Sequence, residues 1–261
     1  MKYGWVHKNI VDIWSHPKYN SERVNQALFC DTLRISSERS SFLRIIKEDG
    51  YTGWMDKRFV TICSKNEINQ FLKKRKYTVF SQTARIYNAP NDELPKMILY
   101  GTKLYKERVQ NNQILCKTPS MERFCLTKSS AKPILSTKNN LNRKFVTEAK
   151  RFLDIPYLWG GISPFGFDCS GLVQTIAGQF GVEFPRDTKD QIKAGRMIEI
   201  QDIQTGDLLF FKRHVGFAIG KNRVIHSSVG GNGVRINSLD PKDKDFRKDL
   251  KETFQQARRI I

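Results

Sequence analysis

A glycine-rich loop that runs straight into an apolar helix constrains this chain more than any other feature. The loop holds Tyr157-Leu158-Trp159-Gly160-Gly161 and ends at Asp168-Cys169-Ser170-Gly171-Leu172-Val173-Gln174. Pro156 stops any helix that precedes it. Beyond the loop, Leu172, Val173, Ile176, Ala177 and Phe180 form one apolar stripe and Gly181 supplies a stop, which predicts a buried helix over 170–180. Cys169 then falls at the first turn, where unpaired amides and the positive end of the helix dipole favour a thiolate and lower the thiol pKa. Gly160, Gly161, Gly166 and Gly171 let backbone approach closely, as a substrate groove and an oxyanion pocket require. On packing alone, the same cysteine would be a small buried hydrophobe.

Downstream spacing argues for chemistry. Three strands are expected at 206–211, 215–219 and 223–227, with His214 opening the second and His226 closing the third. A two-residue turn at Lys221-Asn222 would place the imidazoles on opposite faces. An odd-length loop centred on Gly220 would pair His214 directly with His226, and that register is the expectation. Cys169 is then the nucleophile, His214 the base that takes its proton and returns it to the leaving amine, and His226 the group that orients His214. The other two histidines, His7 and His16, lie far away in sequence.

Upstream, residues 1–64 read as short strands and turns, with Asp49-Gly50 as a hairpin signal between Leu43–Lys47 and Tyr51–Met55. A helical connector is expected at 66–74. A similar grammar returns over 65–128: Thr83–Pro90 and Lys96–Leu104 echo Val11–Pro17 and Arg23–Leu33, suggesting a degenerate duplication. Residues 129–141, rich in Ser, Lys, Thr and Asn, read as a linker. A helix follows over 142–153, where Phe145, Val146, Ala149, Phe152 and Leu153 share a face.

The formal charge is +19, of which +13 lies before Asn140, so nucleic acid has to be weighed. The basic residues are scattered singly apart from Lys73-Lys74-Arg75-Lys76, which suits a solvated surface and no specific nucleic acid. Five cysteines without a CxxC pair suggest neither a disulfide framework nor zinc, and no metal or other cofactor is expected. Cys30 and Cys63 read as core hydrophobes. No apolar run approaches the roughly 18 residues of a membrane helix. The N-terminus lacks the apolar core of a secretory signal. The expectation is a cytoplasmic monomer, or a periplasmic or secreted one if a leader has been removed.

Two resemblances follow from these residues. The Gly50-Tyr51-Thr52-Gly53-Trp54 hairpin and the strand pattern before it resemble the bacterial Src-homology-three-like barrel; the second repeat lacks that ending. Residues 142 to about 240, within a domain expected over 142–261, resemble the NlpC family of papain-like cysteine peptidases through Tyr157–Gly161, Phe167–Gln174, Pro185-Arg186-Asp187-Thr188, Gln191, Gly206–Phe211, His214-Val215-Gly216 and Ile225-His226-Ser227. The resemblance implies an α+β chain: a papain-like catalytic domain, its cysteine helix packed on a small antiparallel sheet, after two small β-barrels. It implies hydrolysis of the γ-D-glutamyl to diamino acid bond of peptidoglycan peptides with a free N-terminal L-alanine. It further implies that Asp168 binds the alanine ammonium, that Ser170 and Thr188 contact the D-glutamyl part, that Tyr157 sits beside the thiol and that Trp159 walls the groove. Arg186 could pair with a substrate carboxylate or with Asp187, and Tyr51 and Glu22 are candidates for closing one end of the groove. The competing expectations are a hydrolase or amidase of the same family acting on intact wall, and a non-catalytic wall- or nucleic-acid-binding protein. The tail after Asp240 has no implied role.

Overall fold

A computed structural model describes residues 2–134 and 140–260. The chain divides into two units, Met1–Ile134 and Leu135–Ile261. In the first, β1 (Lys2–Val6), β2 (Ile10–Trp14), β3 (Arg23–Leu28), β4 (Thr32–Arg39), β5 (Phe42–Ile46), β6 (Thr52–Asp56) and β7 (Val60–Cys63) form one antiparallel sheet in the order β3-β2-β6-β5-β4-β1-β7. Asp49-Gly50 lies in the connection between β5 and β6, where Gly50 takes a φ of +83°. The Ser64 hydroxyl and Glu67 carboxylate cap each other's backbone at the start of α1 (Lys65–Lys74).

After α1 come β8 (Arg75–Val79), β9 (Thr83–Arg85), β10 (Met97–Leu99), β11 (Lys103–Gln110), β12 (Gln113–Lys117), β13 (Arg123–Thr127) and β14 (Ala131–Pro133). The sheet order is β13-β12-β11-β8-β14, with β9 and β10 paired separately. Trp5 and Phe29 share a core with Phe71 and Phe124, so the two halves of this unit are fastened by apolar burial. Part of the expected linker is structured. Ala131–Pro133 pairs with β8, because Ala131 has a core position to fill and the strand edge beside it is open; residues 135–139 of that stretch lie outside the described residues.

The second unit begins with α2 (Leu141–Lys150) and continues through β15 (Ile162–Ser163), β16 (Gly166–Phe167), α3 (Cys169–Gln179), α4 (Thr188–Gln191), β17 (Arg196–Ile198), β18 (Leu208–Phe211), β19 (His214–Ile219), β20 (Arg223–Ser228), β21 (Gly233–Ser238), α5 (Lys248–Thr253) and β22 (Phe254–Arg259). Six strands make an antiparallel sheet in the order β17-β22-β18-β19-β20-β21. Alternation along the strands gives it two apolar faces. Phe217 meets Phe145 of α2 on one, while Leu209, Phe211, Ala218 and Val224 gather with Leu250 and Ala257 on the other. The bond from Arg259 to the fully buried Asp207 (2.7 Å from Nε) ties β22 to the start of β18. Among the described residues no helix is long and apolar enough to cross a membrane.

Candidate active site

Asp168 caps α3, its Oδ1 accepting the Gly171 amide at 2.6 Å, and this makes Cys169 the first residue of the helix. The glycine loop lies directly on that helix start. The Asp168 amide donates to the Gly161 carbonyl at 3.1 Å, and a Cβ on Gly171 would stand 2.1 Å from the same oxygen. Any side chain there would push the loop away.

The Cys169 side chain is buried, with its sulfur 3.8 Å from the Thr188 hydroxyl. The backbone amides of Ser170 and Val215 also bond to that sulfur, and Val215 directly follows His214 at the head of β19. Here the expected electrostatics are reversed. Burial, followed by the Asp168 charge, raises the Cys169 pKa above the ordinary thiol value, outweighing the Thr188 and amide bonds that pull it down. The resting state is therefore a thiol, with deprotonation left to a base. Alkylation of Cys169 by iodoacetamide, followed by peptide mapping, should accelerate about tenfold per pH unit up to at least pH 9. A rate that is flat from pH 6 upward would instead mean a preformed thiolate.

His214 and His226 meet, with Nε2 of the first 2.7 Å from Nδ1 of the second and the rings nearly perpendicular. The expected register is off by two residues. β19 and β20 pair Ile219 with Arg223 around a three-residue loop, Gly220-Lys221-Asn222, so His226 stands opposite Gly216 and reaches His214 diagonally. Gly216 makes the diagonal possible: a Cβ there would lie 2.8 Å from the His226 Cβ. The Thr205 hydroxyl accepts the Gly220 amide at 3.0 Å and pins the turn. The odd loop length keeps both imidazoles on one face, as expected.

Burial pushes the His214 pKa down to about 3, assisted by His226 and Arg247, with Asp249 opposing. His226 is lowered chiefly by burial, with Asn237 countering. Both imidazoles are neutral near pH 7, and a neutral imidazole can accept a proton. Sequence reasoning missed Asn237, whose Oδ1 lies 2.9 Å from His226 Nε2. An asparagine in a strand carries no signal of its own; it becomes visible only once the β20–β21 register is known.

The remaining candidates in this unit surround Asp168. Its carboxylate accepts Gly160 N–H at 2.9 Å, Arg186 Nη1 at 3.0 Å and Nη2 at 2.5 Å, and Ser170 Oγ at 3.3 Å, besides Gly171. Five protein donors leave this buried carboxylate acting first as a cap and anchor. Arg186, left open between a substrate carboxylate and Asp187, is itself buried and committed to Asp168 and to the Ser170 hydroxyl, at 2.9 Å. Thr188 is placed at the sulfur. Gln191 Nε2 donates to the Ser170 and Pro185 carbonyls. Tyr157 is close enough to feel the charges of Cys169 and Asp168, and burial raises its phenol so that it stays protonated. Trp159 is 57% exposed on the same loop. Tyr51 and Glu22 belong to the first unit, where the Tyr51 hydroxyl donates to the Val24 carbonyl. Among the described residues no group of His, Cys, Asp and Glu is placed to hold a metal ion.

A thiol at a helix start, bonded by the Val215 amide next to a neutral imidazole that is itself bonded to a second imidazole, presents the groups that the class of cysteine hydrolases uses. The NlpC/P60 family profile matches residues 154–249. The chain is 32% identical over 230 residues to a gamma-D-glutamyl-L-lysine dipeptidyl-peptidase of Bacillus subtilis, covering 82% of this chain and 75% of that protein. It is 27% identical over 269 residues to dipeptidyl-peptidase 6 of Lysinibacillus sphaericus, covering 94% of each. In fold it matches the crystal structure of an NlpC/P60 family protein from Bacillus cereus, with a TM-score of 0.86, 22% identity and 99% of both chains covered. This chain belongs to the NlpC/P60 family.

Proposed function

We propose that the chain is a cysteine peptidase that cleaves the γ-D-glutamyl to diamino acid amide bond of peptidoglycan stem peptides, acting on fragments with a free N-terminal L-alanine during murein peptide trimming. The relatives' activity supports the bond and substrate class. The observation that carries the chemistry is the buried Cys169 thiol at the head of α3, bonded by the Val215 amide beside the neutral His214. The cysteine helix set against an antiparallel sheet supports a papain-like architecture, and the strand-rich first unit with its Gly50–Trp54 hairpin supports Src-homology-three-like barrels.

In the reaction, His214 takes the Cys169 proton as the sulfur attacks the γ-carbonyl carbon. The resulting oxyanion accepts bonds from the Cys169 amide, which has no intrahelical partner, and from the protonated Tyr157 hydroxyl. Collapse breaks the C–N bond, and the imidazolium protonates the departing amine. Water, deprotonated by His214, then hydrolyses the thioester and restores the thiol. The Asp168–Arg186–Ser170 cluster and Thr188 bind the L-alanyl-γ-D-glutamyl portion.

Incubation with L-Ala-γ-D-Glu-L-Lys, its diaminopimelate counterpart and their N-acetylated twins tests this reading. The expected products are L-Ala-D-Glu and the free diamino acid, with the twins cut at least tenfold more slowly because a charge-assisted bond to the amine is lost. Equal rates would remove amine recognition from Asp168. Cleavage confined to intact wall would favour the wall hydrolase or amidase.

A further inference from the structure

Asn237 lies on β21, two residues along from the partner of His226, so the diagonal that joins His214 to His226 continues one strand further. Its amide can face only one way. Nδ2 donates to the Asp245 carbonyl at 3.3 Å, and a carbonyl oxygen accepts only, so Oδ1 must be the atom turned to His226. An amide oxygen also only accepts, which requires the proton of His226 to be on Nε2. Nδ1 of His226 is then a lone pair, and the 2.7 Å bond to it requires a proton on Nε2 of His214. That leaves Nδ1 of His214 unprotonated and available as the base.

From this chain of donors we propose that Asn237 is a positioning residue that fixes the tautomers of both imidazoles. We further propose that the segment after Asp240 holds it in place. That segment is itself held to the sheet. The Ser238 amide donates to the Asp245 carbonyl at 3.1 Å, the Arg247 amide donates to the Ser238 carbonyl at 2.9 Å, and Arg223 pairs with Asp243 and Asp245. The tail is thus the backbone against which the asparagine is aimed.

The inference rests on His214 being the base, yet its test does not need turnover. Protein labelled with 15N-histidine and observed by long-range proton–nitrogen correlation at pH 7 should show His214 and His226 both protonated at Nε2. Asn237→Ala should convert both to tautomer mixtures and lower kcat by about tenfold to a hundredfold with KM within twofold. Asn237→Asp, which keeps an acceptor toward Nε2 but sets a second oxygen against the Asp245 carbonyl, should restore the Nε2–H form of His226 and recover the rate only in part. A wild-type His226 protonated at Nδ1, or unchanged tautomers in Asn237→Ala, would overturn the proposal whether or not the peptide is cleaved. The expected tautomers in a protein that cleaves no peptide would overturn the proposed function and leave this assignment standing.

Discussion

Asp168→Ala is expected to destabilise the second unit by about 3–5 kcal/mol, because the Arg186 guanidinium would stay buried without its counter-charge. The side chains of the pair are 10% and 2% exposed, so water cannot replace the carboxylate without opening the loop. The variant also strands the Gly160 and Gly171 amides and removes the cap of α3, which costs about 1 kcal/mol by itself. Thermal unfolding should show a fall in midpoint on the order of 10 °C or more. Asp168→Ala combined with Arg186→Met should recover much of the loss, since an apolar pair needs no compensation there. A single variant that loses under about 1 kcal/mol would mean that the pair is not an anchor.

Cys169→Ala is expected to do the reverse, lowering kcat by on the order of 10⁴-fold or more while leaving the unfolding midpoint within a few degrees. The thiol contributes little to packing: it is small, and its sulfur bonds to the Thr188 hydroxyl and to the Ser170 and Val215 amides. Measured together, the two variants separate the neighbouring residues of one helix start into an anchor and a nucleophile.

The positions of the proposed catalytic residues were legible because their environments are periodic. The stripe from Leu172 to Phe180 set α3 in place, and with it the position of Cys169 at the helix start. The requirement that two histidines share a face fixed the parity of the β19–β20 loop. The exact register was not legible, since it depends on Gly216 having no side chain opposite His226, a contact between strands that spacing along one strand cannot reveal. The sign of the Cys169 shift was misjudged because helix position can be read locally, whereas burial is set by the whole unit. Arg186 could be recognised as a charge needing a partner, but its choice of Asp168 depends on a loop fold that brings residues 18 apart together. Asn237 and the segment at Asp245 were invisible for the same reason: their role exists only across three neighbouring strands.

The most direct test of the account is to trap the acyl-enzyme. Wild-type protein mixed with L-Ala-γ-D-Glu-L-Lys, quenched in acid within one turnover and examined by intact and peptide-level mass spectrometry, should carry an L-alanyl-γ-D-glutamyl group on the peptide containing Cys169. Free lysine should appear in equal amount, and Cys169→Ala should show neither. Release of lysine by Cys169→Ala at the wild-type rate, or an acyl group carried on any other residue, would contradict Cys169 as the nucleophile.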